Sequence, residues 1–459
     1  QVDGSYNDTS TFSVGGSLVG PDGYLGVAYT RQRSEYGLPG HSHEYETCHP
    51  HGSSLHCGGH GHDEDDHDHD HEHEHDEVPF VKLRSERFDI RGEYRDPLPG
   101  LERARFRMSI TDYEHDEIEE DAVATTFKNK AHDIRLELTH QPIAGLHGVF
   151  GIQHSNSKFS ALGEEAFLPE SRTRNTALFL METLQAGPEL AARQAWQTVE
   201  ATLDRKVSHR PFAISGAAVC DIGGDYSLAL SLARSQRAPN VQELYARGIR
   251  MATNTYELGT ETLGKETGKS IDLTFRKREG ATTFTIGAYH QDFDNYIFAD
   301  TLDQFEAFRL IRYTAADATF TGIDGEIRHQ ITPDFVVSAF GDYVRGKLKD
   351  GLGNVPRIPA GRLGARADGN WGPFSADLEY YHVFEQSRIA ADFETPTPGY
   401  DMLNATLAYK LELGPKANAE LFVRGTNLAN ELAYNHASFI KDASPLRGRN
   451  FVFGLRMDF

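Results

Sequence analysis

The chain is poor in the features that mark several protein classes. It has three cysteines, five methionines and two tryptophans in 459 residues. No stretch approaches the roughly 18 uninterrupted apolar residues of a membrane-crossing helix, which excludes a helical membrane protein. Positive charge is in deficit, with 46 Lys and Arg against 68 Asp and Glu and a net charge of −22. That balance argues against a nucleic-acid binder, which needs a basic face. The start, Gln1-Val2-Asp3-Gly4, carries neither a basic nor an apolar leader region. It fits a cytoplasmic protein or a mature or trimmed chain. There is no internal repeat of fixed period. No nucleophile motif or Ser–His arrangement points to an enzyme.

What is present is glycine (43), phenylalanine (27) and tyrosine (19). Mean hydropathy is −0.51, yet a transmembrane β-barrel has a soluble-looking average because lipid-facing and water-facing residues alternate. Such alternation recurs. Phe106, Met108 and Ile110 alternate with Arg105, Arg107, Ser109 and Thr111. Ile134, Leu136 and Leu138 alternate with Asp133, Arg135, Glu137 and Thr139. Residues 271–276, 403–412 and 451–459 repeat the pattern. Successive strand residues point to opposite faces, so each segment has one apolar and one polar face. Segments of about ten residues suit a tilted strand crossing a bilayer. Short turn-like links recur at 20–23, 142–145, 332–334 and 414–415, with longer polar stretches elsewhere. Short turns on one side and long loops on the other suggest an outer-membrane barrel. The alternative is a soluble sandwich or propeller, whose strands are shorter and more regular. Tyr296, Tyr380 and Tyr381 suit interfacial girdles and ordinary cores alike.

Residues 41–77 stand apart. They hold His41, His43, His49, His51, His56, His60, His62, His67, His69, His71, His73 and His75, and from Asp63 to Glu77 nearly every residue is His, Asp or Glu. Without apolar side chains to offset ordering entropy, the tract is expected to be disordered in the absence of a ligand. Imidazole suits Zn, Cu and Ni, and carboxylates add charge attraction. The redundant spacing predicts several weak, exchangeable sites. Acidic neighbours raise histidine pKa values, so capture weakens as pH falls. Interleaving with acids and an internal position distinguish the tract from an affinity tag. Cys48 and Cys57 lie in the same polar segment, and read as a small disulfide or as metal thiolates. An oxidising compartment favours the disulfide. His329 and His382 read as ordinary surface or lumen polarity.

Further runs carry a family resemblance. They are 36–45 (YGLPGHSHEY) leading into Cys48-His49, 112–117 (DYEHDE), 237–246 (RAPNVQELYA), 252–257 (ATNTYE), 427–430 (NLAN) and 445–451 (PLRGRNF), with a terminal Phe459. The chain resembles the barrel of TonB-dependent outer-membrane receptors, and specifically their zinc-uptake branch. The 237–246 and 445–450 runs are general to such barrels, and the 37–46 and 112–117 runs are more particular to the zinc branch. The resemblance implies an all-β fold, a transmembrane antiparallel β-barrel of about 22 strands, of which roughly 18–20 are expected here. It reads residues 1–459 as the C-terminal barrel portion, with a His/Asp/Glu-rich extracellular loop at 41–79 and the N-terminal plug domain outside the chain. Phe459 would serve barrel assembly.

The resemblance also implies a receptor that takes up a divalent metal, zinc foremost, at the outer membrane of a Gram-negative cell. Its implied partners are Zn²⁺ or a similar ion, the energising TonB–ExbB–ExbD complex, outer-membrane lipid and its own plug. No resident cofactor and no nucleic acid are implied. Carried over, the buried metal site places its first ligand at Glu117, with His115 and Asp116 beside it. At the second position the family shows His in a GxHxAT run, whereas this chain has Arg250, which stays protonated and cannot bind a metal. The family's loop disulfide maps onto Cys48 and Cys57. Rival expectations are a TonB-dependent receptor for haem or a siderophore, and, from another class, a passive porin or an adhesin with a metal-binding loop.

Overall fold

The structure, a computed structural model, describes residues 5–38, 45, 47–57, 78–119, 122–163, 166–184, 188–202, 205–390, 393–414 and 417–458. Two compact units emerge. One comprises residues 1–216, 234–268 and 294–316, the other 217–233, 269–293 and 317–459.

The first unit is built on a meander. Strands Asn7–Gly20, Gly23–Gly37, Phe80–Arg95, Leu101–Glu119, Ala122–His140, Leu146–Gly163, Ser171–Leu184 and Glu189–Ala201 each pair antiparallel with the next. The sequence pattern explains the choice of strand. In Leu101–Glu119 the even positions Phe106 and Ile110 are exposed and apolar, while odd positions such as Arg105 and Arg107 face the other way. Leu136 opposes Phe106 and Ile152 opposes Leu136, so apolar residues form rows across the sheet. Large exposed apolar residues on one sheet face are costly in water and stable against lipid.

In the second unit, strands Phe335–Leu348, Arg362–Trp371, Phe374–Val383, Tyr400–Gly414, Ala417–Thr426 and Asn450–Asp458 repeat the antiparallel order. Their links alternate in length. Turns at 371–374 and 414–417 are short, and segments 349–361, 384–399 and 427–449 are long. The long segments interlock: Gln386 donates to the Ile358 and Pro359 carbonyls at 2.9 and 3.2 Å, and Arg357 lies 4.1 Å from the Phe439 ring centre.

Twenty-two strand segments belong to one sheet, and a separate two-stranded sheet pairs His49–His51 with Ser54–His56. Three of the twenty-two, Arg205–His209, Arg247–Arg250 and Thr255–Leu258, are five residues or fewer, which leaves 19 long strands. The fold class is therefore all-β and predominantly antiparallel. Among the described residues no helix is long and apolar enough to cross a membrane. Every strand segment expected from alternation lies within an observed strand, except that Phe459 falls outside the described residues.

Candidate metal centre

The His49–His51 and Ser54–His56 strands form a hairpin that the sequence pattern did not reveal. Cys48 and Cys57 flank it and are joined by a disulfide. His49 and His51 are two residues apart, so they share a face, and His56 is the cross-strand partner of His49. All three imidazoles therefore stand on one side. Ring centres are 5.1 Å apart for His49–His51, 4.7 Å for His51–His56 and 6.3 Å for His49–His56. A proton on His49 Nδ1 donates to the Thr47 carbonyl at 3.0 Å, leaving Nε2 with its lone pair. That second contact orients a ring as metal-binding histidines require.

The hairpin is held down from one side. The Leu55 amide donates to Asp303 Oδ2 at 2.7 Å. Arg312 Nη2 donates to the Gly52 carbonyl at 3.4 Å. Tyr45 stacks on buried Phe308, ring centres 5.1 Å apart. The apolar contacts of Tyr45, Cys48, Phe308 and Leu55 form one buried cluster.

Strand Leu101–Glu119 carries the second candidate. Alternation sends Tyr113, His115 and Glu117 to one face and Asp116 to the other. Glu117 is buried, and its Oε1 lies 3.9 Å from His115 Nε2. The His115 ring stacks on Phe127 at 4.6 Å. Its Nδ1 is buried with no hydrogen-bond partner among the described residues. Asp116 instead accepts from the Thr126 hydroxyl at 2.6 Å. The structure thus brings His115 and Glu117 together and sets Asp116 apart from them.

Arg250 has a different task. Its Nη1 lies 3.4 Å from Oε1 of Glu257, which is 1% exposed. Gln242 and Tyr313 donate to Glu257 Oε2 at 2.6 and 3.2 Å. A buried carboxylate with this many donors is a structural anchor, its charge matched by the guanidinium. Reading 252–257 as a family run did not reveal this role, which depends on the distant Tyr313. The neighbouring run 237–246 is similarly structural. Asn240 and Glu243 form a reciprocal capping box on helix Val241–Tyr245. Arg237 Nη1 donates to both Glu243 oxygens at 2.9 Å and pairs with Glu266 at 3.2 Å.

His41, His43, His60, His62, His67, His69, His71, His73 and His75 lie outside the described residues. Among the described residues, no group of three or more His, Cys, Asp or Glu side chains is closed enough to hold a metal ion as it stands. The three-imidazole face supplies nitrogen donors that would have to turn inward on an ion. The His115–Glu117 pair supplies two donors and needs completion from elsewhere.

Comparison with known proteins places these features in context. Residues 2–428 match a family model described as TonB dependent receptor-like, beta-barrel. Among solved structures, the copper transporter OprC is similar with a TM-score of 0.77 and 14% identity, over 99% of this chain and 72% of that one. The FrpB iron transporter from Neisseria meningitidis (F5-1 variant) gives 0.73 and 10%, over 98% and 72%. The siderophore receptor PirA from Pseudomonas aeruginosa gives 0.62 and 14%, over 98% and 70%.

Proposed function

This chain belongs to the TonB-dependent receptor β-barrel family, and from that premise we propose that it is the barrel of an outer-membrane receptor that takes up a divalent transition metal, zinc. The observation that carries the metal is the face of three imidazoles, His49, His51 and His56, on a disulfide-closed hairpin. It lies within the 41–77 segment, ahead of its dense His/acid run 62–77, and is ordered where that segment as a whole was expected to lack order. The tract collects the ion by redundant, exchangeable coordination and raises its local concentration. The hairpin offers a more ordered nitrogen set. The His115–Glu117 pair then receives the ion inside, with further donors from the plug domain. The TonB–ExbB–ExbD complex supplies the energy for passage.

Donor chemistry supports a divalent transition ion, and the family resemblance of the 37–46 and 112–117 runs favours zinc among them. Imidazole with carboxylate suits Zn²⁺, Cu²⁺ and Ni²⁺, whereas Cu(I) favours the soft sulfur ligands that this region lacks outside its disulfide. The likeness to copper, iron and siderophore receptors supports uptake of a metal or a metal chelate as the general activity. Competition calorimetry tests the reading. The protein is titrated with Zn²⁺, Cu²⁺ and Ni²⁺, alongside a variant lacking residues 58–77 and a His49→Ala/His51→Ala/His56→Ala variant. The expected result is loss of weak stoichiometry in the deletion and loss of a tighter class in the triple variant. Zinc binding unchanged in both, or binding of haem with no response to zinc, overturns the proposal.

A further inference from the structure

His115 lacks the contact that ordinarily fixes a metal-binding imidazole. Such a ring is held by a hydrogen bond from its second nitrogen, as His49 is by the Thr47 carbonyl. The Nδ1 of His115 is buried with no hydrogen-bond partner among the described residues, and its Nε2 stands 3.9 Å from Glu117 Oε1. The orientation of the imidazole therefore rests on the rings around it. His115 and Phe127 are cross-strand partners, and their ring planes lie 14° apart with centres at 4.6 Å. The Tyr113 ring meets the imidazole edge-on, 5.5 Å away.

Phe127 is held in turn. Its partner on the next strand is Ala161, small enough to leave room beside the phenyl ring. Phe167, from the link between strands Leu146–Gly163 and Ser171–Leu184, packs there with its ring centre 6.1 Å from that of Phe127. Both phenylalanines are buried in one cluster. Strand Arg247–Arg250 fastens the link from behind. The Arg247 amide donates to the Phe167 carbonyl at 2.7 Å. A side chain at position 248 would meet the Phe167 main chain at 2.9 Å, so Gly248 permits that close approach. The Arg250 guanidinium, anchored by Glu257, then lies 5.6 Å from the Phe167 ring centre, within cation–π range.

We propose that Phe127 and Phe167, capped by Arg250, are positioning residues for His115, a stack that sets its imidazole beside Glu117 before the ion arrives. Near-parallel planes fixed by strand register restrict rotation of the imidazole, which filling space alone would not require. A ligand held in place beforehand spares the ordering cost at binding. Arg250 cannot supply the donor that the family shows at its position, yet through the stack it still serves the site. The inference rests on the reading of His115 and Glu117 as metal ligands, whereas the stack itself is read out without metal.

The test uses the receptor with its plug domain in detergent micelles, isotopically labelled at histidine Cε1. In the metal-free protein the His115 Cε1–H resonance, assigned by its loss in His115→Gln, is expected upfield of the other histidines, because the imidazole lies over a phenyl ring. Phe127→Leu keeps an apolar side chain but no ring. It should return the resonance to the common range and weaken the internal class of zinc binding about 10-fold to about 100-fold. Phe167→Leu and Arg250→Gln/Glu257→Gln should move both readouts the same way by less. Phe179→Leu removes a ring elsewhere on this face, under Arg135, and should move neither. Heat-modified gel migration checks folding, and Phe167→Leu carries the readout if Phe127→Leu does not fold. A parent resonance already in the common range, or zinc affinity within about twofold of the parent in folded Phe127→Leu, overturns the proposal. An upfield resonance that Phe127→Leu abolishes, in a parent that binds no zinc internally, supports the stack and overturns the metal reading instead.

Discussion

Opening the hairpin disulfide should weaken metal binding by a calculable amount. The Cys48–Cys57 link spans a sequence separation of 9. Loop-closure entropy for a ring of that size corresponds to about 2.6 kcal/mol at 25 °C. If the freed segment must be ordered again by the ion, that cost appears in the dissociation constant as about 80-fold. The contacts of Leu55 with Asp303 and of Tyr45 with Phe308 still restrain the opened segment. The expected loss therefore lies between about 10-fold and about 80-fold. The perturbation is Cys48→Ser/Cys57→Ser, because serine adds no thiolate ligand. The assay is zinc calorimetry in a background lacking residues 58–77, so that the tract does not mask the change. An affinity within about twofold of the parent would refute the reasoning, since the imidazole face would then owe nothing to the closed loop.

Three further outcomes follow from the geometry. In the receptor carrying its plug domain, Glu117→Gln should abolish the internal class of zinc binding while Asp116→Asn leaves the titration unchanged, because the two carboxyls occupy opposite faces of one strand; equal effects in calorimetry would contradict this. Arg250→Ala should cost about 1–3 kcal/mol by leaving the buried Glu257 carboxylate without its cation, and Glu257→Gln less, as read by urea titration and by proteolysis of segment 237–266. Burial pushes the Glu394 carboxyl up, but His436, 3.2 Å away, and the Ala390 and Arg357 amides outweigh it and hold the group below its ordinary value of 4.5. A carboxyl with a lowered folded-state pKa stabilises fully above that ordinary value and loses its contribution as pH falls through the lower one. Proteolysis of segment 384–399 should therefore rise on acidification below about pH 4.5, and Glu394→Gln should flatten that rise.

Much of the architecture was legible because a barrel writes its environment into the period of its strands. Phe106 and Ile110 face outward while Arg105 and Arg107 face inward, and the sequence shows that alternation directly. The tight links at 20–23, 142–145 and 332–334 were legible from Gly, Pro and Asp. The site was less so. The run 112–117 reads as one cluster of ligands, but the same two-residue period that identifies the strand separates Asp116 from His115 and Glu117. The 49–56 hairpin has no apolar alternation to announce it, and its imidazoles converge through cross-strand pairing of His49 with His56. The Glu257 anchor depends on Gln242 and Tyr313, which are 71 positions apart in sequence, a distance no local pattern spans.

Zinc K-edge absorption of the protein lacking residues 58–77, loaded with one equivalent of Zn²⁺, bears most directly on the metal-receptor account. The prediction is a first shell dominated by imidazole nitrogen at about 2.0–2.1 Å, with the multiple-scattering signature of histidine rings, and its loss in His49→Ala/His51→Ala/His56→Ala. An oxygen-dominated shell that is identical in parent and triple variant would contradict it.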